Sequence, residues 1–207
     1  ASTGTISLDA ETGALTMNGT ANVTATGSAA RLRAEGDVTV GNVIVSDVGI
    51  DSDAGSIINV AGSSKNETAT NLRLQARGAI GAAGRHVTTN IDVVTALSTT
   101  GGIYLTEDNG ATVNSVRIQV TDFNSDASTV MITDAAQSDL TTVLNGDIVL
   151  AATAGNITLN DGDSGVDQTD GASRSANGTA VSANGSGNIL IDALTGKGTA
   201  NADILSG

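Results

Sequence analysis

Large aliphatic residues in this chain come in pairs two positions apart, with a glycine two positions before the first. Residues 144–159 carry the pattern twice, as Gly146-Asp-Ile148-Val-Leu150 and then Gly155-Asn-Ile157-Thr-Leu159. Side chains two apart on an extended strand share a face. Each phrase therefore predicts a turn followed by a very short strand with one apolar side. The same phrase begins at Gly4, Gly13, Gly36, Gly41, Gly101 and Gly187. Gly4 to Gly13 and Gly146 to Gly155 are nine residues apart, while other gaps run to several tens. A unit that cannot bury its apolar side alone must stack on copies of itself. The fold expected is all-β, a single β-solenoid over 1–207 with irregular turns. Its coils should take about 20–30 residues, a range usual for such repeats. Ile6, Leu105, Ile148 and Ile157 should stand in stacked inward ranks.

Between the phrases, alternation of Thr, Asn and apolar residues adds further strands at 21–26, 30–34, 71–80, 91–97, 113–120 and 129–133. Arg31 and Arg33 flank Leu32, so period two predicts Leu32 inward and both arginines on a solvated outer face. Residues 135–144 are the stretch most compatible with a helix. Residues 61–70 form a polar loop. Residues 160–186 contain only Val166 and Val181 as large apolar residues, which predicts a long polar loop inserted into the stack, with coils resuming at Gly187.

Composition sharpens this picture. Tyr104 and Phe123 are the only aromatics, and Pro, Cys and Trp are absent. A globular core ordinarily draws much of its buried area from aromatic rings; here the core must be narrow and made of Ile, Leu, Val and Ala. The absence of cysteine excludes a disulfide framework and a thiol-based metal site or nucleophile. The net charge of −13 argues against nucleic acid or anionic lipid as a partner, because both require clustered Lys and Arg. No apolar run approaches the ~20 residues of a membrane-spanning helix.

Candidate chemistry is sparse. Asp161, Asp163, Asp167 and Asp170 share a Gly-rich stretch of the kind that offers carboxylate oxygens to calcium. However, Gly165 and Val166 stand where an EF-hand loop needs a ligand and a glycine. A solvated loop is the reading preferred, with calcium as the one cofactor considered. His86 is the only histidine; alone and without Cys it makes no zinc site of the usual kind, and no nucleophile constellation surrounds it in sequence. Polysaccharide-processing enzymes need an acid–base pair in a groove and commonly an aromatic platform, which two aromatics scarcely supply. The chain is therefore read as not an enzyme, with no catalytic, cofactor-binding or metal residue assigned.

The Gly-x-Ile-x-Leu phrases, in a Gly/Ala/Thr/Asn-rich, Cys-free acidic chain, resemble the filamentous-haemagglutinin-like adhesins of bacteria. The segment from Asn71-Leu-Arg-Leu-Gln-Ala-Arg-Gly-Ala-Ile-Gly81 through Gly101-Gly-Ile-Tyr-Leu-Thr-Glu107 looks like a repeat unit of the giant members of that group. The resemblance implies a right-handed parallel β-helix, export to the cell surface or medium, and an adhesive or stalk role toward a receptor or glycan that the sequence does not name. The alternatives weighed beside it are a self-associating extracellular filament, joined through its open ends, and a polysaccharide-processing β-helix enzyme.

Overall fold

The computed structural model describes residues 4–61, 65–162, 165–166, 173–174 and 177–207. Among these every regular element is a strand. Apart from two short antiparallel pairs, the chain winds so that its strands pair in parallel with strands about one coil further on. On the first face one inward rank runs Leu8, Leu32, Ile50, Leu74, Ala96, Leu140, Val181, Ile204, each in register with the next. The steps are 24, 18, 24, 22, 44, 41 and 23 residues. A plain coil thus takes 18 to 24 residues, and the two long steps are coils that carry an excursion. Eight such layers at ~4.8 Å make a stack roughly 34 Å tall. Winding of this kind, with a large parallel sheet that nearly closes on itself, is the arrangement of a β-solenoid.

The second face holds the rank that does most to bind the coils: Leu15, Val38, Ile57, Ile80, Ile103, Ile148 and Ile189. From Val38 to Ile148 every member is fully buried. β-Branched side chains suit a half-buried pleated surface, and each buried isoleucine contributes about 1.5–3 kcal/mol. Leu105 and Leu150 stack over Val87 beside this rank, and Ile157 stacks over Ala111. The four positions expected in ranks are therefore all found there, with Ile6 paired to Ala30 on the first face.

The corner between these faces explains the recurring glycine. Gly36 N–H donates to Gly13 O at 2.6 Å, and Gly78 N–H to Gly55 O at 2.6 Å. A Cβ on Gly146 would collide with the Gly101 carbonyl, and one on Gly187 with that of Gly146. Only glycine lets the coils approach this closely. Buried hydroxyls just before the corner bond its carbonyls: Ser52 to Gly36 O at 2.8 Å, Ser98 to Gly78 O at 2.7 Å, Thr142 to Gly146 O at 2.8 Å. A second column, containing Gly110, Gly155 and Gly196, turns the next corner. The phrases thus belong to different corners, which is why their spacing along the chain is uneven.

On the third side the inward rank is less uniform: Val23, Val43, Glu67, Thr89, Glu107, Ala152, Ala193. Glu67 is fully buried and neither of its carboxyl oxygens has a hydrogen-bond partner. Burial pushes its pKa well above the ordinary glutamate range. Glu107, also buried, instead accepts from Thr89 Oγ1 at 2.5 Å and from the N–H groups of Ile91, Asp108 and Asn109. Burial outweighs these donors and still raises its pKa.

The two excursions leave the stack at the same place. Val94 pairs with Val113, and Ala96, two residues on, pairs with Leu140. Residues 114–139 therefore bulge out of one strand position. One coil higher, Val113 pairs with Leu159 and Leu140 with Val181, so the chain leaves the sheet after Leu159 at the same point and is back in it at Thr179–Ala183. Three expectations are corrected. Residues 113–120 are not one strand, because the chain turns out of the sheet after Ala111–Val113. Residues 135–144 hold no helix; Gln137 and Asp139 bond across to Leu74 and Thr95, and the segment re-enters the sheet as the strand Leu140–Thr142. The coils resume at Thr179–Ala183 rather than Gly187, since Ala180, Val181 and Ala183 are small enough to fill the narrow core.

Candidate functional site

The first excursion does not project from the stack as a free loop. It folds back along the outer side of the first face and crosses the preceding layers. The outward positions it covers run Arg31, Gly49, Arg73, Thr95 in successive coils, with Asp51 and Gln75 alongside. Val116 and Gln137 join the two arms of the excursion by reciprocal backbone bonds of 2.8 and 3.0 Å. Beyond them Gln119–Phe123 and Thr129–Thr133 form an antiparallel hairpin. Alternation then sorts its side chains. Val116, Ile118 and Val120 are buried against Ala29, with Val93 and Ile132 packed at the edge. Gly49 permits the close approach, since a Cβ there would lie 3.2 Å from both Ile118 Cγ1 and Asp134 Oδ2.

Polar groups fix the remainder of the strap. Arg31 Nε donates to Asp134 Oδ1 at 2.8 Å. Arg73 donates to Asp51 Oδ1 at 2.5 Å, to Gln75 Oε1 at 2.6 Å and to Ala135 O at 3.2 Å. Gln137 Nε2 donates to Leu74 O at 2.9 Å and Thr95 Oγ1 at 3.2 Å, while Thr95 Oγ1 donates to Asp139 O at 2.9 Å. At the far end Thr121 N–H donates to Thr5 Oγ1 at 2.8 Å, and the Thr5 hydroxyl returns to Thr121 O at 3.0 Å. The strap, rooted in the sixth layer, is therefore tied to the first. Burial works against the charge on Arg31, but Asp134, Asp51 and Asp9 together hold its pKa above the ordinary arginine value. For Asp51, burial and the nearby Asp134 charge outweigh Arg73 and Arg31, so its pKa is raised.

This overturns the solvated outer face expected at Arg31, whose side chain is only 11% exposed beneath the strap. Arg33, more open, pairs with Asp9 and Asp53. Leu32 is fully buried, as the alternation required.

Next to the hairpin's polar turn, Asn124-Ser-Asp-Ala-Ser128, large apolar side chains stand exposed. Phe123, Met131 and Val130 are 69%, 62% and 43% exposed, around a turn closed by Asn124 N–H to Ser128 O at 2.9 Å. The chain's only phenylalanine thus stands in solvent on an element held by buried bonds. An exposed aromatic beside other apolar side chains is the commonest anchor of a protein contact.

The other candidates fall elsewhere. The Asp161 carboxylate accepts from Gly178 N–H at 2.8 Å; Asp163, Asp167 and Asp170 lie outside the described residues. No group of three or more His, Asp or Glu able to hold a metal occurs among the described residues. His86 Nδ1 lies 2.8 Å from Thr106 Oγ1, and its ring is 5.9 Å from that of Tyr104. Tyr104 and Phe123 do not meet, one being on the second face and the other at the hairpin tip. Sequence reasoning missed the strap. Its signal was the alternation Val116-x-Ile118-x-Val120, which is that of a strand needing its own surface to cover.

Comparison with protein-family models, with curated proteins and with solved structures found no match.

Proposed function

We propose that this chain is a non-enzymatic structural and adhesive segment, a right-handed parallel β-helical rod of a bacterial cell-surface or secreted protein. Its mechanism is presentation. A stack of coils supplies a stiff support, and the strapped hairpin holds exposed apolar side chains at a fixed place on its flank. The observation that carries the reading is the pairing of a rigidly tied hairpin with exposed Phe123, Val130 and Met131. Ordering such a group beforehand removes part of the entropic cost of binding. Beads coated with the chain should adhere to host or neighbouring cells. Replacing Phe123 and Met131 together by Ser should abolish adhesion without lowering the melting temperature; equal adhesion by the variant sinks the reading.

A second reading is favoured by Leu190, Leu194, Ile204 and Leu205, which are 45–62% exposed in the outermost layers. These support end-to-end association into a filament, a heterologous contact that does not close. Electron microscopy at rising concentration separates the two, since growing fibres favour the filament and dispersed short rods the adhesive segment.

A further inference from the structure

Going up the second face, the outward rank runs Thr16, Thr39, Ile58, then a gap, then Tyr104, Val149 and Leu190. The gap is the coil where this face shrinks to the single bridging residue Ile80. The next residue is Gly81, with φ of 69° and no side chain to fill the rank. The chain then makes a tight turn in which Ala82 and Arg85 exchange backbone bonds of 3.0 and 2.8 Å. A groove of about 580 Å³ results, walled by Ile58, Ala79 and Ala82 and rimmed by Ser56, Gly84 and Arg85.

The polar character of this groove is one-sided. In a chain with 22 acidic residues, none of those lining it is acidic. Ser56 Oγ already accepts from Ala79 N–H at 3.1 Å, so its own proton is left to donate. Asp37, an acid beside the groove's rim, accepts from Ser56 N–H at 2.8 Å. Arg85 is exposed and, like Arg77, Arg117 and Lys197, is in no ion pair among the described residues, but of these four only Arg85 lines the groove. A guanidinium fork matches a carboxylate in bidentate fashion. The space is far larger than a simple ion requires and falls in the range of small-ligand sites. Its apolar wall suits the carbon-bound face of a ring.

We propose that this groove binds a carboxylated sugar residue, with Arg85 taking the carboxylate, Ser56 a ring hydroxyl and the Ile58–Ala79–Ala82 wall the apolar face of the ring. The inference rests on the presentation reading for its purpose but not for its test, which uses a soluble probe and the isolated chain.

Titration of the chain with a galacturonate dimer, followed by calorimetry or by amide NMR, should show saturable binding, with shifts centred on residues 79–86. Arg85→Gln should weaken it at least tenfold. Ser56→Ala should weaken it several-fold, and Arg117→Gln on another surface should leave it unchanged. Both arginine positions are on the surface, so the variants are expected to keep the wild-type melt, and that melt is recorded alongside. The proposal is overturned if no binding is seen to ten millimolar, if Arg85→Gln binds as wild type does, or if neutral galactose dimer or sulfate binds equally well. Failure here with adhesion through the hairpin intact removes the groove and leaves the rod.

Discussion

Two places in this molecule bury charge, and they treat it in opposite ways. Beneath the strap, Asp51, Arg73, Arg31 and Asp134 lie outside the coil, and each finds an opposite charge, with Ala135 O as a further acceptor. Inside the coil, Glu67 meets only the rank of Val43 and Thr89 and has no hydrogen-bond partner. The outer flank can keep ions because the excursion brings a second layer with its own acids and carbonyls. At Glu67 the interior supplies no donor, so burial holds its pKa well above the ordinary glutamate range. The strap thus supplies opposite charges on the flank, while within the coil Glu107 is met by four donors and Glu67 by none.

The sharpest way to break this comparison is to force a charge into the interior where a rank is unbroken. Ile103 is fully buried between Ile80 and Ile148. Ile103→Asp should cost more than about 4 kcal/mol, the range reserved for an unpaired group in a core. Circular dichroism at 25 °C should show loss of the parallel sheet; a cooperative melt near wild type contradicts the placement of the rank. Next in size is the flank. Arg73→Ala leaves Asp51 buried opposite Asp134, and removal of one partner of such a pair costs about 3–5 kcal/mol. Double replacement of Arg73 and Asp51 by Met and Leu should recover most of that loss, because the flank then has no orphaned ion. If the double variant is no better than the single one, the pair is not what holds the strap.

A smaller effect tests whether the strap acts by filling hydrogen bonds as well as charges. Gln137 Nε2 donates to Leu74 O, a buried carbonyl of the strand Asn71–Ala76. Gln137→Ala should cost about 1–3 kcal/mol, the expense of a buried acceptor left open. It should also speed amide exchange at Gln119–Phe123 relative to the second-face strands. Equal protection before and after would show that the hairpin is held by Val116, Ile118 and Val120 alone.

How much of this was legible beforehand differs between the two regions for a physical reason. The ranks were readable because a strand of period two repeats its apolar positions in every coil, and Gly146-Asp-Ile148-Val-Leu150 states the corner and the rank in one phrase. The strap was not, because its partners are far apart in sequence. Arg31 and Asp134 are 103 residues apart, and nothing in the local alternation around Leu32 says that a later segment will cover the arginine. The fold back was hidden in the same way at 135–144, where Gln137 and Asp139 face the sheet and Leu140 enters it. Glu67 was passed over because it fell within the polar loop expected at 61–70, where a carboxylate is ordinarily solvated; instead Glu67–Thr68 is a strand with Glu67 buried.

Glu67 gives the finest test of the contrast, and its sign can be worked out. Its folded pKa is raised well above the ordinary glutamate value near 4.5 by burial. Below the unfolded pKa both states hold the proton, and the side chain adds no pH dependence. Above it the unfolded chain ionises while the folded one stays neutral, so stability falls as pH rises, by at most about 1.4 kcal/mol per pH unit, until the folded pKa is reached. Asp51 and Glu107 also have raised values and tilt the curve the same way, so the readout is the difference between proteins. Glu67→Gln cannot ionise. Urea melts at pH 4, 5, 6 and 7 should therefore give a wild-type-minus-variant stability that declines steadily with pH, even if the buried amide lowers the variant by a constant amount. A difference that stays level over that range would mean Glu67 is as easily ionised folded as unfolded. The interior would then have a polar outlet, and the distinction between the strapped flank and the sealed core would fail at its smallest but most specific point.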